Sequence, residues 1–200
     1  MHYVTQRPEA ASLPIRSVSM DERFQVAFVC TGNRARSPLA EALYRRYSEG
    51  FETDVTSYGT SDVGAAPPLS QALEAGAALG IDLSGHRARP LRRGDLAGAD
   101  LVLGFEAFHQ AVAVIDAGAA AANTFLLAEL VPLLDEPSLG GDDVTRTRAA
   151  VSLADSRRIR TRPTEAASLG DPLGQPDEVM FRTAKQIDEL VRELVRKLFE

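Results

Sequence analysis

Tryptophan is absent from this 200-residue chain, cysteine occurs once, as Cys30, and lysine occurs only at Lys185 and Lys197. A single cysteine excludes internal disulfides, zinc sites built from several thiolates and CxxC redox centres. With two lysines among 22 basic residues, the remaining positive charge is all arginine, the better bidentate partner for phosphate. A net charge of −6 argues against a general nucleic-acid binder. Long apolar runs are also missing. The most apolar stretch, 111–134, is interrupted by Asp116, Asn123 and Glu129, so a membrane-spanning helix is not expected. Residues 1–23 lack the apolar core of an export signal and carry Pro8, Pro14, Asp21 and Glu22. They read as a loosely ordered tail, and the expected location is the cytoplasm.

What is present is ordinary globular composition, 44% hydrophobic and 25% charged, in a length suited to one domain with an insertion. Periodicity divides residues 24–200 into alternating short apolar runs and helical patterns. Runs at 24–30, 53–58, 99–105 and 123–127 predict strands. Spacings of three and four predict helices from about Pro38, over 69–79, over 106–117 and over 178–198. This alternation predicts an α/β fold: a four-stranded parallel sheet, doubly wound with helices on both faces, with a phosphate loop after the first strand. Residues of about 137–170 stand outside the alternation as an arginine-rich insertion. Arg146, Arg148, Arg157, Arg158, Arg160 and Arg162 are offset between 146 and 162 only by Asp155. The stretch reads either as a solvated helix or flexible loop, or as a basic flap that holds an anionic substrate or partner.

Chemistry concentrates in Cys30-Thr31-Gly32-Asn33-Arg34-Ala35-Arg36-Ser37-Pro38, between a strand end and a helix start. Backbone N–H groups and the helix dipole make such a loop an anion cradle, formed here by Thr31, Gly32, Asn33, Arg34, Ala35, Arg36 and Ser37. Gly32 and Asn33 are residue types that tolerate the left-handed backbone a tight loop needs. Arg36 can hold two phosphate oxygens in a fork. The same positive field favours thiolate over thiol, and so a nucleophile at Cys30. His2, His86 and His109 show no ligand spacing, so neither a metal nor another cofactor is expected.

This loop resembles the signature of the low-molecular-weight protein tyrosine phosphatases. The segments Ser57-Tyr58-Gly59-Thr60, Gly80-Ile81-Asp82-Leu83-Ser84-Gly85-His86-Arg87-Ala88-Arg89 and Asp171-Pro172 are similar to others of that family. The resemblance implies phosphomonoester hydrolysis through a phosphocysteine, with Cys30 as nucleophile, Arg36 binding phosphate and Asp171 as general acid and then base. Ser37 would assist the sulfur, and Asn33, Ser37, Ser57 and His86 would hold the loop in shape. Its implied partners are a phosphorylated protein, phosphotyrosine by family default, or a small phosphomonoester. An arsenate reductase dependent on an external thiol and a phosphate-binding module with little turnover stand as alternatives.

The chain departs from the family pattern at several positions. Ala35 stands where many members have a second cysteine, so an oxidised Cys30 would need an outside thiol to restore it. Arg34 stands where tyrosine phosphatases carry an aliphatic residue and their arginine-phosphatase relatives a threonine. Leu173 stands where an aromatic residue usually walls the cleft. The 57–67 loop is shortened, with Tyr58 its one aromatic.

Overall fold

Strand β1, Phe24–Cys30, is hydrogen-bonded on both edges and buried on both faces, Val26 and Phe28 entering one core cluster and Ala27 and Val29 the other, which is why adjacent positions are apolar alike. The computed structural model describes residues 23–135, 143–158 and 168–200. The expectations for the tail at 1–22, and for Arg160 and Arg162 in the insertion, lie outside the described residues.

In chain order, β1 is followed by α1 (Arg36–Tyr47), β2 (Thr53–Gly59), α2 (Ser70–Ala78), β3 (Leu101–Gly104) and α3 (Ala107–Ile115). Then come β4 (Thr124–Leu126), the single turn α4 (Leu127–Leu130), α5 (Asp143–Arg158) and α6 (Asp177–Phe199). The four strands form one parallel sheet in the order β2-β1-β3-β4. The sequence patterns place every strand and the helices α1, α2, α3 and α6, with ends that differ by a few residues.

Helices cover the two faces unequally. On one side α1, α5 and α6 bury Phe24, Phe28, Leu101, Leu103 and Phe125 in the main core. A buried side chain of that size stabilises by roughly 1.5–3 kcal/mol. On the other side, α3 and the 91–99 segment cover a smaller cluster containing Ala27, Val29, Val102 and Ala113. No helix of the described residues is long and apolar enough to cross a membrane.

Over its described part, 143–158, the arginine-rich stretch is helix α5, packed on the core rather than a basic flap or a wholly solvated helix. Its Val144, Val151 and Ala154 enter the main core. Arg148 pairs with Asp100, just before β3, and Arg157 pairs with Asp135. Arg158 donates to the carbonyls of Ala121 and Thr124 at the start of β4 and lies over the Phe125 ring. Arg148 and Arg158 fasten the helix to the amino-terminal ends of β3 and β4, and Arg157 to the segment that follows α4, whereas Cys30 lies at a carboxyl-terminal strand end.

Candidate active site

The carboxyl ends of β1, β2 and β3 meet at one edge, where Cys30 is level with Gly59 and Val29 with Gly104. A crevice outside strand ends is the usual ligand position of an open parallel sheet. The 31–35 loop turns there and enters α1, whose first turn has no side-chain cap, leaving its leading amides for a ligand.

Asn33 makes the turn possible. Its φ of 50° is the one left-handed value among described non-glycine residues, and asparagine tolerates it. Gly32 does not share that role: its φ is not positive and a Cβ there would meet nothing within 4 Å. The glycine with a steric reason is Gly59 on the neighbouring strand. A Cβ there would stand 2.9 Å from backbone atoms of Thr31, Gly32 and Asn33. Strand β2 thus presses directly on the loop, and only a hydrogen fits between them.

Loop shape is then held by a hydrogen-bond chain whose direction is determined by its donors. The Asn33 amide group donates to Ser37 Oγ at 2.9 Å and to Ser57 Oγ at 2.8 Å, while its Oδ1 accepts from the Arg89 N–H. Ser57 must therefore pass its own proton to Glu41, 2.5 Å away, and Glu41 is neutralised by Arg45 and Arg89. The Ser37 hydroxyl proton is left for the Cys30 sulfur at 2.9 Å or the Tyr58 carbonyl at 3.3 Å. The sulfur also accepts the Asn33 N–H at 3.3 Å. His86 Nε2 donates to the Asn33 carbonyl at 2.9 Å, and its burial lowers the imidazole's proton affinity. Asn33, Ser37, Ser57 and His86 thus sit together around the loop.

Arg36 is 2% exposed and fully engaged. It donates to Glu106 at 2.6 Å, to the Leu169 carbonyl at 2.9 Å and to Thr31 Oγ1 at 3.3 Å, and it pairs with Asp171 Oδ2 at 2.9 Å. Asp171 reaches this point because Leu169 N–H bonds the Phe105 carbonyl just beyond β3. Its other oxygen accepts the Leu173 N–H, so the Asp-Pro pair is a turn as well as a neighbour of Arg36.

Two participants escaped the sequence patterns, Glu106 and His109. Both follow the end of β3, three residues apart, and a carboxylate just past a strand adjoining the loop was the available signal. His109 Nδ1 accepts the Phe105 and Glu106 N–H groups, so Nε2 carries the proton and donates to Thr31 Oγ1 at 3.1 Å. Burial, with the nearby Arg36 guanidinium, pushes His109 down to about 4. Below pH ~6.5 the unfolded chain takes up this proton and the folded one refuses it. Stability is therefore complete above that pH and falls by up to about 3 kcal/mol as pH drops towards 4. In thermal melts, His109→Asn, which keeps an acceptor for the two N–H groups, is expected to lose less stability than wild type between pH 7 and 4.5. Parallel curves would refute the assignment.

The cleft above Cys30 has a volume of about 200 Å³ and is lined by Thr31, Arg34, Arg36, Val63, Leu69, Asp171 and Leu173, among others. Its side walls are aliphatic. Tyr58 packs instead against the smaller core cluster, beneath the Arg89 guanidinium. Among the described residues, no three His, Cys, Asp or Glu side chains converge to hold a metal ion.

Comparison with known proteins agrees with this geometry. Residues 25–143 match the family model described as low molecular weight phosphotyrosine protein phosphatase. A relative from Bacillus subtilis, named a protein-arginine-phosphatase, is 29% identical over 86% of this chain and 95% of its own. A low molecular weight protein-tyrosine-phosphatase from Streptomyces coelicolor is 36% identical, over 43% of this chain and 55% of its own. The crystal structure of a low molecular weight protein tyrosine phosphatase from T. tengcongensis superposes with a TM-score of 0.64 and is 32% identical, covering 88% of this chain and 99% of that one.

Proposed function

The chain belongs to the low molecular weight phosphotyrosine protein phosphatase family, and on that premise we propose that it hydrolyses protein phosphotyrosine through a phosphocysteine on Cys30. The observation that carries the proposal is the convergence of a hydrogen-bonded sulfur, a buried guanidinium and a carboxylate in one cleft. In the first step, the Cys30 thiolate attacks phosphorus in line. The S–P bond forms as the P–O bond to the leaving group breaks. Arg36 and the loop amides hold the phosphoryl oxygens, and Asp171 gives its proton to the departing oxygen.

In the second step, water attacks phosphorus, Asp171 takes the water's proton, and the S–P bond breaks to release phosphate. The Ser37 hydroxyl, 2.9 Å from the sulfur, stabilises the thiolate that leaves. Asp171 is paired with Arg36. A bound phosphate dianion would take over the guanidinium and free the carboxyl to face the leaving oxygen.

Asparagine at position 171 separates acid catalysis from binding. For phosphotyrosine, a poor leaving group, Asp171→Asn should lower kcat by about 10²–10⁴-fold, the size of a general-acid contribution. For p-nitrophenyl phosphate, whose leaving group needs little protonation, the loss should be clearly smaller. Equal losses on both substrates would remove Asp171 from the acid role. The name of the Bacillus relative suggests phosphoarginine as a rival substrate. Arg34 in the cleft lining weighs against it, because the substrate's own guanidinium would meet a like charge.

A further inference from the structure

Two arginines line the cleft, and they are held in different ways. Arg36 is buried and its charge is met by Glu106 and Asp171. Arg34 is half-exposed, and among the described residues no carboxylate pairs with it. Its Nε donates to the Pro67 carbonyl at 2.7 Å, and its main-chain carbonyl accepts the Leu69 N–H at 3.0 Å. Backbone and side chain are therefore both clipped to the 67–69 segment. The two terminal nitrogens of the guanidinium carry no hydrogen bond among the described residues. Holding the head group in place reduces the side-chain entropy lost when a ligand binds.

The surroundings suggest what that ligand is. Val63 and Leu173, 41% and 61% exposed, flank the cleft with apolar surface, and the one carboxylate in its lining, Asp171, pairs with Arg36 rather than with Arg34. The chain as a whole carries −6, a field that disfavours acidic partners, so an acidic partner would need a local cation to be accepted. The exposed Val63 and Leu173 place the cleft's rim at the protein surface, where residues adjoining a phosphorylated side chain would lie.

Resting on the phosphatase function above, we propose that Arg34 is a specificity residue: it pairs with the carboxylate of an aspartate or glutamate adjacent to the phosphorylated residue, so the preferred substrates are acidic phosphopeptides. The guanidinium's free N–H groups match a carboxylate in fork geometry. At a partly exposed site such a pair is expected to change kcat/KM by about 3–30-fold. It should weaken with salt, because solvent-exposed charges are screened over about 10 Å at 0.1 M.

The test uses the full chain and two phosphotyrosine peptides of equal length, one with glutamate on either side of the phosphotyrosine and one with glutamine there. Wild type is expected to prefer the glutamate peptide by about 10-fold, and the preference should shrink in 1 M salt. In Arg34→Leu the ratio should fall to about one or below, while Arg34→Lys should retain part of it. Because the readout is a ratio within each enzyme, a general loss of activity divides out. A purely structural role for Arg34 would lower both peptides alike and leave the ratio unchanged, which overturns the proposal. A wild-type ratio of one, or one insensitive to salt, overturns it even if neither variant folds. If wild type fails to hydrolyse p-nitrophenyl phosphate, the phosphatase function is what fails. The same two peptides titrated against Cys30→Ser would then still read the charge preference, as a difference in Kd.

Discussion

Replacing Cys30 with serine is expected to reduce p-nitrophenyl phosphate hydrolysis to background, a loss of at least about 10⁴-fold, with the fold retained. The sulfur lies at the end of β1 in the cleft lining, and its hydrogen-bonding neighbours are the Asn33 N–H and the Ser37 hydroxyl rather than a base. A thiol is activated by a positive, hydrogen-bonded environment alone. A serine hydroxyl needs a general base to take its proton, and the described residues place none against position 30. His86 is turned to the Asn33 carbonyl and His109 to Thr31. Serine is slightly smaller and can accept the same Asn33 N–H, so the stability change should stay small. Steady-state rates at mildly acidic pH, beside a thermal melt of each protein, check both parts. Turnover within tenfold of wild type in a folded Cys30→Ser protein would exclude Cys30 as the nucleophile.

The second large effect is expected at Arg36. Arg36→Lys should lower kcat/KM for p-nitrophenyl phosphate by roughly 10³–10⁵-fold, as removal of a phosphate-clamping arginine does elsewhere. The charge is kept, so the loss measures geometry. One guanidinium here reaches Glu106, the Leu169 carbonyl, Thr31 and Asp171 together. A lysine ammonium is a single point on a flexible stem and cannot span these partners or present a planar fork to phosphate. It would also leave Glu106 without its partner at 2.6 Å and release the 169–171 segment, so the Asp171 carboxyl loses its anchor. Phosphate binding should weaken in parallel with the rate. A loss below about 30-fold, with phosphate affinity unchanged, would make Arg36 a structural residue only.

Much of the fold was legible in the sequence because the relevant forces are local. Apolar runs such as 24–30 are too short and too continuously buried to be amphipathic helices. Helix α6 repeats its apolar residues at threes and fours through Leu198. The loop could be read for the same reason: cysteine, arginine, serine and proline lie within nine consecutive residues between a strand and a helix. The arginine-rich stretch was harder. Its charges look solvated in one dimension, but Arg148 and Arg158 find partners at Asp100 and Thr124, which are distant in the chain. The importance of Gly59 over Gly32 was likewise invisible, because it depends on how closely β2 approaches the loop.

The sequence by itself determined the α/β alternation and the position of the loop that carries Cys30 between β1 and α1. Each follows from periodicity, or from neighbouring residues acting through the backbone they share. Only the tertiary structure decided which side chains surround that loop. Glu106, His109 and Arg89 belong to segments separated in sequence and are brought together because parallel strands place their carboxyl ends at one edge of the sheet. Asp171 joins them only through the hydrogen bond between Leu169 and Phe105 and the grip of Arg36. Chain spacing carries no record of such convergence, since hydrogen bonds and ion pairs act over a few ångströms of space whatever length of chain lies between the partners.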